Sequence, residues 1–158
     1  MIFPAVMNRF NDINLSTPQH QTDWDQYYAL RWQLLRKEWH QPLGSERDEY
    51  ESDAFHVMAT NSTGIVIGVG RLHKLDSTAA QIRFMAVKED QQRLGIGSKL
   101  LTALETQATV WELESITLNA RDSHLAFYRK HHYEAIEPSD TLFDVIKHTK
   151  MRKFIRTQ

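Results

Sequence analysis

The segment Gln91-Gln92-Arg93-Leu94-Gly95-Ile96-Gly97-Ser98-Lys99 has the residue types needed to hold a phosphorylated ligand. It joins a stretch with strand character, Ala80 to Val87, to one with helix character ending near Trp111. Two glycines at such a turn let the backbone approach a ligand closely and leave N–H groups pointing outward. A helix start carries partial positive charge, which suits phosphate or pyrophosphate. Gln92 and Arg93 add polar donors just ahead of it. Two commoner phosphate loops do not fit. A Walker loop needs Gly-Lys-Ser/Thr after an earlier glycine, and here the order is Gly97-Ser98-Lys99 with no such glycine. A dinucleotide fingerprint needs a small residue three positions after its second glycine, and Leu100 stands there. The pattern that remains is Gln92-x-x-Gly95-x-Gly97.

The elements around this loop read as a mixed α/β arrangement. A short first strand is expected around Ile13 and Leu15. Thr22 or Asp23 is placed to cap a helix running to about Glu38, with Tyr27, Leu30, Leu34 and Trp39 on one face. Gln41 to Ser45 reads as a loop, and the acidic stretch Glu46 to Ser52 as a short helix with a solvated face. Strands follow at Phe55 to Ala59 and Ile65 to His73, joined by the turn Asn61-Ser62-Thr63-Gly64. Ala80 to Val87 alternates, which places Ile82, Phe84 and Ala86 on one face and Arg83, Met85 and Val87 on the other. The next helix, Gly95 to Trp111, repeats Ile96, Leu100, Leu104 and Ala108 at helical spacing. A strand at Ser115 to Asn119, a helix capped by Asp122 or Ser123 and running through Lys130, and strands at Tyr133 to Ile136 and Lys147 to Ile155 complete the order. Short turns make consecutive strands antiparallel, while the two strands flanking the Gly95 helix can be parallel. The expected fold is a mixed, mostly antiparallel central sheet flanked by helices, not a doubly wound parallel sheet.

Composition narrows the function classes. The chain has 158 residues, 41% apolar and 25% charged, which suits one folded domain over residues 1–158. Its formal net charge of −1 argues against a broad nucleic-acid or anionic-membrane footprint. There are no cysteines, so thiol catalysis, a Cys-based zinc site and disulfides are excluded. No apolar run reaches the length of a membrane span. The start, Met1 to Met7, lacks the basic region and long apolar core of a secretory signal, and a cytoplasmic location is expected. His131 and His132 are adjacent with no spaced carboxylate partner, so no metal site is expected.

The glycine loop resembles the pyrophosphate loop of the GNAT superfamily of N-acetyltransferases. The strand Gln81-Ile82-Arg83-Phe84-Met85-Ala86-Val87 precedes it at that superfamily's spacing. Ile116-Thr117-Leu118-Asn119-Ala120-Arg121 and then Ala126-Phe127-Tyr128 resemble its later strand and tyrosine helix. The resemblance runs in order from about residue 12 to 156, and implies the acyl-CoA N-acyltransferase fold with acetyl-CoA as cosubstrate. It also implies that Met85, Ala86, Val87, Gln92, Arg93, Leu94, Gly95, Ile96, Gly97, Ser98, Asn119, Phe127 and Tyr128 hold the coenzyme. Backbone N–H groups near Ala86 and Val87 would steady the tetrahedral oxygen, and Tyr128 would return a proton to the departing thiolate.

A finer similarity is to the branch with glyphosate N-acetyltransferases, carried by Leu30-Arg31 and Leu35-Arg36, Arg83-Phe84-Met85-Ala86, Asn119-Ala120-Arg121 and His148-Thr149-Lys150-Met151. It implies that Arg36, Arg83 and Arg121 bind an anionic acceptor and that His148 is the base. Arginine suits carboxylate or phosphonate through paired hydrogen bonds, and an unperturbed imidazole, titrating near pH ~6.5, can take a proton at neutral pH. The family usually has glycine after the tyrosine helix, where His132 stands here. The expected activity is transfer of an acetyl group to a primary or secondary amine of a small, anionic acceptor by direct attack on the thioester. A peptide or protein N-acetyltransferase and a non-catalytic acyl-CoA sensor are the alternatives. A homodimer is a family-level expectation.

Overall fold

The computed structural model describes residues 12–156. The apolar start Met1 to Met7 lies outside them. Seven strands form one sheet: β1 (Asn14–Ser16), β2 (Phe55–Thr60), β3 (Val66–Lys74), β4 (Ala79–Val87), β5 (Ser115–Arg121), β6 (Glu134–Pro138) and β7 (His148–Phe154). Their spatial order is β1-β2-β3-β4-β5-β7-β6. Only β4 and β5 pair in parallel, joined by the crossover through α2 (Ile96–Val110); α1 (Gln21–Leu35) and α3 (Leu125–Lys130) are the other helices. This is the mixed, mostly antiparallel sheet expected from the element order. The last two strands change places, with β7 inserted between β5 and β6. No helix among the described residues is long and apolar enough to cross a membrane.

Alternation along the strands supplies two faces. Val57 and Ala59 of β2 and Leu72 of β3 pack with Ile96, Leu100, Leu101, Leu104 and Ala108 of α2. Met58 of β2 and Val66 and Val69 of β3 pack with Tyr27 and Leu30 of α1 on the opposite face. Each buried leucine of α2 contributes about 1.5–3 kcal/mol relative to exposure. The approach of α2 to β3 is close. A Cβ on Gly68 would lie 3.0 Å from Leu100, and one on Gly70 would lie 3.1 Å from Leu104.

One irregularity shapes the rest. β3 pairs Val69 with Ala86 and Arg71 with Arg83, so two steps on β3 face three on β4. Phe84 supplies the extra residue, at φ 60°, a conformation bulky side chains avoid. The bulge corrects the simple alternation expected for this strand. Ile82, Met85 and Val87 pack on the α2 side, while Arg83 and Phe84 join Ala86 on the α1 side. Arg83 and Met85 therefore do not share a face.

Other boundaries differ for physical reasons. α1 begins after His20, because the Asp23 carboxylate accepts the N–H of His20 at 3.0 Å and of Gln19 at 3.1 Å. It ends at Leu35, ahead of a 3₁₀ turn at Lys37–Trp39. The stretch 46–52 is a series of turns rather than a helix. There Asp48 accepts the Tyr50 N–H at 2.9 Å, and Glu51 accepts the Asp48 N–H at 3.0 Å. Such side-chain bonds replace the helical ladder. Asp122 to His124 form a 3₁₀ turn before α3. His132 takes the left-handed turn, φ 71°, where the family favours glycine.

Gly68→Val should test the packing of α2 on β3. The added branches must displace Leu100 and Ile96, and urea unfolding should show a loss of about 1–3 kcal/mol with an unchanged denaturant slope.

Candidate active site

β4 and β5 pair only from Ala79↔Ser115 to Ile82↔Leu118. Beyond that point β4 stays on β3 as far as Val87, and β5 stays on β7 as far as Arg121↔His148. The two strands part, and the edge of β4 that faced β5 loses its ladder partner. Its N–H groups on that edge point into the gap. A cleft of about 1100 Å³ opens there.

The split collects most of the residues singled out in the sequence. Arg36, Arg83, Met85, Ala86, Val87, Gln92, Asn119, Arg121, Tyr128 and His148 all line this one cleft. Arg93, Leu94, Gly95, Ile96, Gly97 and Ser98 do not, since they build the adjoining loop and helix start, nor does Phe127, which lies in α3 with its ring against Gly97. Gly95 sits at φ 81° with open space around it, so its backbone conformation is what requires glycine. Gly97 is required by contact instead, since a Cβ there would meet the Phe127 ring at 3.2 Å. The Ile96 side chain is buried in the core, so only its backbone is available to a ligand. Gln92 Nε2 donates to the Val87 carbonyl at 3.1 Å, which ties the loop to the end of β4. Ser98 Oγ is bonded to His131 Nε2 at 2.8 Å.

Two groups in the cleft are suited to proton transfer. His148 Nδ1 lies 2.9 Å from the Ile146 carbonyl. A carbonyl only accepts, so in the neutral ring Nδ1 is the protonated nitrogen and Nε2 carries the lone pair. The Tyr128 ring is buried between Phe127 and Tyr133, and burial pushes its phenol up to about 12. Its hydroxyl has no hydrogen-bond partner among the described residues.

One end of the cleft is cationic, lined by Arg36, Arg83 and Arg121. The Phe84 ring, turned to this side by the bulge, lies under four guanidiniums. The distances are 4.5 Å for Arg31, 5.6 Å for Arg36, 4.8 Å for Arg71 and 4.6 Å for Arg83. Arg36 donates to the carbonyls of Ser45 and Leu35. Burial, then the charges of Arg83 and Arg121, lower its pKa. Those couplings put Arg83 and Arg121, the other two arginines of the sequence reading, within electrostatic reach of Arg36. Among the described residues, neither Arg36 nor Arg121 has a carboxylate in ion-pair range, whereas Arg83 donates to Asp48 at 2.9 Å.

Asp48 and Glu51 were unexpected participants. Arg71 is fully buried and holds both Asp48 oxygens, at 2.5 and 3.0 Å, and Glu51 at 2.6 Å. Glu51 also holds the fully buried Arg31 at 2.8 Å. The stretch expected to be a solvated acidic face is the counter-charge for two buried arginines. The sequence signal was available. Arg31 follows Leu30 on an apolar helix face, and Arg71 sits in a β-branched run, so both positions demand an anionic partner. His124, which lines the cleft, was also missed. Burial and the charges of Arg121 and His148 lower its pKa.

A family model for the acetyltransferase (GNAT) domain matches residues 27–155. The chain belongs to the GNAT acetyltransferase family. Its fold is that of the acyl-CoA N-acyltransferases. An acyl-CoA N-acyltransferase from Pseudomonas aeruginosa is 21% identical, with 90% of this chain and 98% of that one covered at a TM-score of 0.75. A GNAT acetyltransferase from Elizabethkingia anophelis, solved with acetyl-CoA bound, is 16% identical over 91% and 99% at 0.71. An aminoglycoside 6′-N-acetyltransferase complexed with coenzyme A is 15% identical over 92% and 98% at 0.76. At these identities the likeness establishes the fold, and the acceptor must be argued from the cleft.

The Asp48 clamp carries a pH prediction. Burial alone would raise this carboxyl, but the Arg71 bonds, the Tyr50 N–H and the charges of Arg71 and Arg83 outweigh it and hold it at about 2. An unfolded aspartate titrates near ~3.9. The stabilisation is therefore fully present above pH ~4 and is lost as pH falls from there toward ~2. Urea titrations across that interval should show wild-type stability dropping. Asp48→Asn should be weaker by about 3 kcal/mol near neutrality and should drop less on acidification.

Proposed function

We propose that this protein transfers an acetyl group from acetyl-CoA to the amine of a small acceptor carrying a carboxylate or phosphonate. The observation that supports it best is the split between β4 and β5. One cleft there brings unpaired strand N–H groups together with Tyr128, His148 and a cluster of arginines. The glycine loop beside it suits a pyrophosphate, and two of the similar solved structures were determined with coenzyme A or acetyl-CoA.

In this reading His148 Nε2 takes a proton from the acceptor ammonium, directly or through water, and frees the lone pair on nitrogen. The amine attacks the thioester carbonyl, and a C–N bond forms as the carbonyl oxygen takes the charge. N–H groups on the open edge of β4 near Ala86 and Val87 stabilise that oxygen. The nitrogen, now positively charged, passes its second proton to water, and the C–S bond breaks as the carbonyl re-forms. Tyr128, whose phenol stays protonated through the physiological range, gives its proton to the leaving sulfur. Arg36 and Arg121 orient the acceptor by its anionic group.

A small acceptor is favoured over a peptide by how the cleft is bordered. Lys37, Glu38 and His40 line it from one side, and Ser139, Asp140 and Leu142 from the other. Trp39 and Phe143, from the same two segments, stack at 6.3 Å between ring centroids and bridge them.

Tyr128→Phe should lower kcat by about 10²-fold or more while coenzyme binding, followed by calorimetry, stays within about twofold. Arg36→Ala and Arg121→Ala should raise the KM for the acceptor by at least about tenfold, again with coenzyme binding retained. Unchanged acceptor kinetics in both arginine variants would rule out the anionic-acceptor reading.

A further inference from the structure

The acceptor end is not simply a cluster of free cations. Arg83 is 46% exposed at the cleft, and its Nη1 already donates to Asp48 Oδ2 at 2.9 Å. Asp48 cannot swing away with it. Both of its oxygens are held by the fully buried Arg71, and Oδ1 also accepts the Tyr50 N–H at 2.9 Å. Arg71 is in turn fixed by Glu51 at 2.6 Å. A fixed carboxylate therefore stands on one side of Arg83, itself outside the lining of the cleft but bonded to a cation that lines it. Arg121, by contrast, has no such partner among the described residues.

We propose that Asp48 is a specificity-determining residue of the acceptor pocket, screening Arg83 so that the pocket favours singly charged anions over doubly charged ones. The inference rests on the anionic-acceptor reading above. A carboxylate acceptor can be met by Arg36 and Arg121 at little cost from the neighbouring Asp48 charge. A phosphonate dianion reaching toward Arg83 would meet that charge, and like charges placed together are strongly disfavoured. Arg83 thus acts as a positioned, half-neutralised cation, held by the same carboxylate that stabilises Arg71.

The test uses β-alanine and 2-aminoethylphosphonate, amines of equal chain length that differ in anionic charge, under saturating acetyl-CoA. The readout is the ratio of their KM values in wild type, Asp48→Asn, Arg83→Gln and Arg121→Gln, with folded fraction followed by circular dichroism. Asp48→Asn should lower the KM for the phosphonate about tenfold more than that for the carboxylate, with kcat for each within about threefold. A merely structural role would reduce active protein and leave the KM ratio where it was, and that result would overturn the proposal. Should Asp48→Asn fold poorly, the other two variants decide. Arg121→Gln should raise the β-alanine KM by about tenfold and Arg83→Gln by less than about threefold. An Arg83→Gln effect as large as that of Arg121→Gln would overturn it. Turnover of polyamines or peptides by the wild type, with none for small anionic amines, would instead remove the anionic-acceptor reading, and this inference with it.

Discussion

The structure depends on the bulge at Phe84. β4 has to pair with β3 along its whole length and with β5 along only half of it. Inserting one residue, in a left-handed conformation that costs about 1–3 kcal/mol, bends the strand away from β5 at the point where a cleft is needed. The same insertion turns an aromatic ring that regular alternation would bury under α2 to the opposite face. There it meets the guanidiniums of Arg31, Arg36, Arg71 and Arg83. One backbone irregularity thus opens the cleft and gathers four guanidiniums on one ring, two of them, Arg36 and Arg83, lining the cleft. Packing supplies the compensation, since Phe84 is only 7% exposed.

Charge placement follows from that geometry. Two fully buried arginines cannot be left without counter-ions, and the turns at 46–52 deliver Asp48 and Glu51 to them. The segment that closes the α1 side of the sheet is therefore fixed by ion pairs rather than by a helix of its own. Its fixation also sets the character of the neighbouring pocket. Among the described residues Arg36 and Arg121 have no carboxylate in ion-pair range, and Arg83 shares a carboxylate with the core. Stability of the fold and selectivity of the site meet in the same carboxylate.

Elements with a strong local pattern were legible in the sequence. The period of Ile96, Leu100, Leu104 and Ala108 revealed α2, and the two glycines with different physical roles marked its start. The parallel pairing of β4 and β5 followed from the helix between them. The convergence of Arg36, Arg83, Arg121, Tyr128 and His148 came from a family resemblance, and the cleft now holds all five. What escaped was non-local. Nothing in Gln81 to Val87 distinguishes a bulged strand from a regular one, because the extra residue is defined only by its partner strand. The Asp48 and Glu51 contacts to Arg71 span 23 and 20 residues, and that of Asp48 to Arg83 spans 35. Only the presence of arginines on apolar faces hinted that such partners must exist.

The central claim is that this cleft acetylates small anionic amines, and it is met most directly by following thiol release from acetyl-CoA across chemically distinct acceptors. A panel of acidic and neutral amino acids, aminophosphonates, polyamines and short peptides separates the classes. The account predicts turnover confined to small amines that carry an anionic group, falling away as salt screens the arginines. Turnover of polyamines or peptides, with none for the small anionic amines, would contradict it.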